Sequence, residues 1–305
     1  MKIRLNPIVK KDLQVTVRSM RMSWGLFAYE AALTIAFLVA LAFIQDAASY
    51  SYSDNIYSYL IYLFPVVAVA QVCIVALYVP IITASSISGE KERQTFDIML
   101  TTCMSPFAIV FGKVISAVLR IIFFVIASTP IMALSFVVGG LSWSYLFYYL
   151  LAVILFSVFA GSIGIFASAF CRKSVAALLL SFVIYFVIFV LTFVPPIYRS
   201  VFAGGGYGES AGESMLPLLW NPVVFFEEFF SQMMTGNSIM ATLRDSLDRD
   251  EVGILTYVLA RGKVWMFTSA GCILLLSFLF MALAAWKVNP MHAGSGRRRG
   301  KKKVD

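Results

Sequence analysis

Apolar residues in this chain fall in long unbroken blocks. They show neither the alternation of a half-buried strand nor the single stripe of a surface helix. Six blocks stand out: about Trp24–Phe43, Ile56–Ala84, Phe107–Val138, Trp143–Phe170, Val175–Val194 and Val264–Trp286. Each can cross roughly 30 Å of hydrocarbon as a helix, and the longer ones must tilt or project beyond it. An open sheet leaves backbone groups unsatisfied in lipid, so helices are the economical choice. The pattern predicts an all-α integral membrane protein whose six transmembrane helices occupy residues 24–286. Pro65, Pro80 and Pro130 are expected to kink their spans. Ala160, Gly164 and Ser168 form a small face at four-residue steps, which predicts close helix packing within one subunit.

The segments between blocks are distinct. In residues 1–23, Val9, Leu13, Val17, Met20 and Trp24 recur at helical spacing, with Lys10, Lys11, Arg18 and Arg21 on other faces. This predicts an interfacial elbow helix lying along the inner membrane surface, its bases toward anionic head groups. Residues 197–262 form the one sizeable polar region. "AGGGYGESAGES" is turn-rich, and "MLPLLWNPVVFFEEFFSQMMTG" is apolar but broken by Pro217 and Pro222. Short or re-entrant helices at the outer interface are expected there. Residues 287–305 read as a basic tail held by anionic lipid.

Charge orients the spans. The chain is 60% hydrophobic and 13% charged, with a net charge of +8. The bases cluster at both ends and at Arg172–Lys173, whereas loop 197–262 holds four bases and eight acids. Excess Lys and Arg marks the cytoplasmic side. Both termini are therefore expected in the cytoplasm of a multi-pass protein of the cell membrane. The same distribution argues against a specific nucleic-acid partner. Cys73, Cys103, Cys171 and Cys272 lack metal-ligand spacing and read as small apolar residues. His292 is the only histidine, so a His-based metal site is not expected.

Between the second and third blocks stands "GEKERQTFDIMLTTCMSPFAIVFGK", residues 89–113. It is placed in the cytoplasm and tethered at both ends. Glu90, Arg93, Phe96, Asp97 and Leu100 share a helical face before Ser105–Pro106 breaks the helix. Such a projecting helix, about 88–106, suits docking into a groove on a partner; a solvated connector is the plainer alternative. Gly112–Lys113 lacks the upstream Gly and following hydroxyl of a phosphate loop, so the chain has no nucleotide-binding motif of its own.

This stretch resembles the signature of type-2 (ABC-2) permease subunits of ATP-binding-cassette transporters. The matching positions are Glu92–Arg93, Thr95, Met99–Leu100, Ser105–Pro106 and Gly112–Lys113. The family often has Gly directly before the Thr, where this chain has Gln94. "NPIVKKDLQVTVRSMRM" resembles the family's elbow helix, and "WNPVVFFEEFFSQMMTG" its outer-loop segment. The resemblance implies a coupling helix seated in a cleft of a separate cytosolic ABC ATPase, with Glu90, Lys91, Glu92, Arg93, Thr95 and Phe96 in contact. It also implies a second permease subunit. No cofactor is expected on this chain, and ATP and Mg belong to the partner ATPase. The implied function is transport, as an exporter, by alternating access.

Two charges lie inside the blocks. Glu30 sits roughly 9 Å beyond Trp24 in the first, and Arg120 lies in the third. They either pair or line a vestibule, or they snorkel to the inner interface. They would also serve the main rival, an ion-coupled carrier. An intramembrane hydrolase built on Glu227–Glu228 is the weaker rival, since no His can complete its metal site. The lack of polar residues along the spans points to hydrophobic or amphipathic cargo.

Overall fold

Small residues decide which helix sits at the centre. The helix Trp143–Phe170 carries Ala152, Ala160, Gly161, Ser162, Gly164, Ala167, Ser168 and Ala169 on its buried surface, so neighbours approach it from several sides. Two-thirds of its membrane-length window is buried, against 17–39% for the other five spans. The computed structural model describes residues 19–50, 60–95, 106–140, 142–202, 213–245 and 254–288. The described residues are almost all helical, with no strand among them.

We number the helices α1 Met20–Tyr50, α2 Leu63–Glu92, α3 Pro106–Val138, α4 Trp143–Phe170, α5 Ser174–Phe186, α6 Val194–Phe202, α7 Pro222–Thr235, α8 Ile239–Asp245, α9 Ile254–Leu259 and α10 Gly262–Val288. Helices α1 to α5 and α10 supply six segments long and apolar enough to cross a membrane. The chain is thus a multi-pass membrane protein. The fifth span runs Ser174–Tyr198 and contains a π turn, Val187–Leu191, before the Pro195–Pro196 step opens α6. Around α4, aromatic side chains from four helices interlock. Phe64 stacks edge-on against Phe136 and Tyr149, and Phe156 against Phe226.

Observed and expected spans agree closely for α3, α4 and α10. The second differs: α2 begins at Leu63 and runs eight residues past Ala84, through Ser-Ser-Ile-Ser-Gly-Glu-Lys-Glu. The serines do not break the helix because their hydroxyls bond back into it, Ser85 Oγ to Ile82 O at 3.1 Å and Ser88 Oγ to Ala84 O. The expected elbow helix lies mostly outside the described residues, and Met20–Ser23 continue directly into α1. The loop after the fifth span folds as a 3-10 turn, Glu213–Trp220, followed by α7. Asn221 starts α7: its side chain accepts from Val223 N at 2.9 Å and donates to Phe189 O and Thr192 Oγ1 of the fifth span. The fully buried Trp265 of α10 packs under this cap beside Leu218, Leu219 and Val224.

Candidate functional site

The C-terminal end of α2 is the most heavily tied point among the described residues. Three consecutive charges reach three different helices. Glu90 Oε1 accepts from Lys113 Nζ of α3 at 2.7 Å, with Lys113 only 6% exposed. Lys91 Nζ donates to the carbonyls of Ser168, Ala169 and Cys171, the orphan acceptors at the end of α4. Glu92 accepts from Ser174 N and Ser174 Oγ, both at 2.9 Å, and so caps the start of α5. Acid at a helix start and base at a helix end each suit the macrodipole.

The helix then stops in a Schellman motif. Gln94 N donates to Lys91 O at 3.2 Å and Thr95 N to Glu90 O at 3.0 Å. The motif needs one left-handed residue, and Gln94 supplies it at φ 57°. Glycine takes that conformation without cost, which explains why a Gly suits this position in the resembled signature. Arg93 and Thr95 are exposed, while Glu90 and Lys91 are half-buried. Phe96 and residues 97–105 lie outside the described residues. The motif of residues 89–113 therefore begins and ends at one ion pair, Glu90 to Lys113.

Just within the bundle, α2 and α4 touch backbone to backbone. A Cβ on Gly164 would sit 1.9 Å from Thr83 Oγ1 and 2.9 Å from Thr83 Cβ. One turn on, Ser168 Oγ accepts from Ile87 N at 2.9 Å and Ser88 N at 2.8 Å. The small face expected of α4 thus seats α2 within the chain.

Deeper in the bundle, four helices meet at Gln71. Its Nε2 donates to Tyr29 OH at 2.8 Å and to Ser128 Oγ at 3.0 Å. Tyr149 OH shares its proton between Gln71 Oε1 at 2.9 Å and Ala68 O at 3.0 Å. Gln71, Ser128 and Tyr149 are fully buried. Satisfied networks of this kind fix helix register. Sequence reasoning passed over Gln71; the available signal was a lone amide in an apolar block. It also left Lys113 without a partner, although Lys113 closed the motif.

Glu30 and Arg120 are not joined in an ion pair. Glu30 Oε1 is buried without a hydrogen-bond partner among the described residues. Glu228 accepts from Gln232 Nε2 at 2.8 Å and Met240 N at 3.2 Å, joining α7 to α8, whereas Glu227 is exposed. No group of three His, Cys, Asp or Glu side chains gathers among the described residues.

Six apolar helices about a small-residue core, with a charged root where α2 leaves the bundle, define a polytopic α-helical membrane domain. A family model, ABC-2 type transporter, matches residues 8–197, more than half of the chain. The chain belongs to this family, the permease component of ABC transporters, which works with an ABC ATPase. No curated protein matches the chain.

Proposed function

We propose that this chain is the membrane subunit of an ABC exporter in the cell membrane, with both termini in the cytoplasm. Two such subunits, identical or paralogous, enclose the path, and two cytosolic ATPase subunits bind beneath them. ATP and Mg reside on those partners. Cargo crosses by alternating access, driven by the difference in ATPase affinity for the two states.

The observation that carries this reading is the three-way attachment of Glu90, Lys91 and Glu92 to α3, α4 and α5. A segment leaving the bundle at Arg93 is rooted in three spans at once. A push on it moves them together. The contact residues split by role: Arg93, Thr95 and Phe96 meet the ATPase, and Glu90, Lys91 and Glu92 pass the motion inward. Rim charge such as Arg93 contributes registration more than affinity.

Co-purification and coupled turnover test both halves. Arg93→Glu with Phe96→Ala should lose the ATPase from the purified complex. Lys113→Met should keep it bound yet lose cargo-stimulated ATP turnover. Retention of the ATPase by the first variant ends the docking role; normal stimulation in the second ends the transmission role.

A further inference from the structure

At the end of the bundle remote from Glu90, α2, α4, the π turn and α7 line a half-open cavity of about 470 Å³. That volume suits a small organic molecule. Its walls are apolar: Phe156, Phe189, Phe226 and Phe230 present aromatic surface, and Cys73 of α2 lines one side. Glu227 is the sole charged residue in the lining.

Two local devices aim this lining. The π turn carries Phe189, and Asn221 Nδ2 donates to the Phe189 carbonyl at 3.1 Å. Asn221 also starts α7, so the same residue sets the pitch of the helix bearing Phe226, Glu227 and Phe230. Neighbouring Glu228 is committed to Gln232 and Met240. Glu227 has no hydrogen bond or ion pair among the described residues.

We infer that this cavity binds a lipophilic organic cation, its charge facing Glu227 and its apolar body against the phenylalanines. Glu227 is exposed at the rim, so its carboxylate offers a counter-charge to a cation entering between the apolar walls. Aromatic faces add attraction for a cation but none for an anion. A neutral ligand of the same size gains burial alone. The proposal names the cargo class of the transport reading and rests on it for its physiological meaning; the binding itself needs no ATPase.

Cys73 is exposed to the cavity and reports on it. The test uses the purified chain with Cys103→Ser, Cys171→Ser and Cys272→Ser, labelled by N-ethylmaleimide. Tetraphenylphosphonium should protect Cys73 at about a tenfold lower concentration than the size-matched anion tetraphenylborate. Glu227→Gln should erase that preference while leaving the ligand-free labelling rate unchanged. Val223→Lys, one turn before Glu227 on the same wall, should erase it independently. Equal protection by both ions, or a preference surviving Glu227→Gln, overturns the proposal. So does a Cys73 that resists labelling and cross-links to Cys73 of a second copy, since the cavity would then be a subunit seam. None of these arms depends on ATPase co-purification, so failure here and failure of the docking reading are separable.

Discussion

Gly164→Ala tests the packing on which the helix arrangement depends. The added methyl would lie 1.9 Å from Thr83 Oγ1 and 2.9 Å from Thr83 Cβ, with Ala84 N at 3.5 Å. Rotating Thr83 moves Oγ1 and breaks its 2.8 Å bond to Val79 O, but Cβ is fixed to the backbone. The helices must therefore part by several tenths of an ångström. Overpacking of this kind costs about 1–3 kcal/mol. Separation also stretches the bonds from Ile87 N and Ser88 N to Ser168 Oγ, one turn along. Alanine recovers about 0.5–1 kcal/mol of helix propensity, so the overpacking loss falls to about 1 kcal/mol at mid-range, with the stretched Ser168 bonds adding to it. Reversible unfolding in mixed micelles measures it. The decisive comparison is the double-mutant cycle. Thr83→Ala should be neutral or mildly destabilising alone, but stabilising on the Gly164→Ala background, because it removes the worst overlap. A Gly164→Ala protein within about 0.5 kcal/mol of the parent, or no change of sign in the cycle, would refute the reasoning.

Lys113→Met leaves Glu90 half-buried and unpaired, and should cost about 2 kcal/mol by micellar unfolding, with Glu90→Gln restoring most of it. Gln94→Gly relieves a left-handed side chain and should raise stability by up to about 1 kcal/mol after the glycine entropy term; a loss would refute the Schellman assignment. Gln71→Leu removes the shared partner of Tyr29, Ser128 and Tyr149 and should cost about 3 kcal/mol, more than Tyr149→Phe at about 1 kcal/mol. Equal costs would show that Gln71 is not the hub. Lys91→Met should free the carbonyls ending α4 and speed amide hydrogen exchange across Cys171–Ser174 without altering exchange at Gln71.

The spans were legible because burial in lipid writes itself as uninterrupted apolar length. Phe107–Val138 and Trp143–Phe170 are preceded by Pro106 and Ser142, which open the pattern where the helices begin. The end of α2 was not legible. Ser-Ser-Ile-Ser-Gly reads as a loop, and its helicity depends on Ser168 and on returning serine hydroxyls, neither visible in local propensity. The charged stretch could be recognised by motif. The partners of Glu90, Lys91 and Glu92 could not, because they lie 23 to 82 residues away and only the helix arrangement brings them together. The small face of α4 announced close contact, but Thr83 as its target came from the fold alone. Pairing of Glu30 with Arg120 was one of the alternatives that two charges inside apolar blocks allow, and sequence does not fix the rotation of a helix about its axis.

The π turn at Val187–Leu191 has a consequence for descent. Such a turn accommodates one residue more than an α-helix of the same height, and one residue is about 100° of rotation. Relatives with an uninterrupted fifth span should therefore align with a single gap here. Deleting one residue at the turn should swing Phe189 off the cavity wall and present a different flank of the outer half to its surroundings. A change of one codon at this place would alter which surface of the span is read by lipid, cargo or a neighbouring subunit.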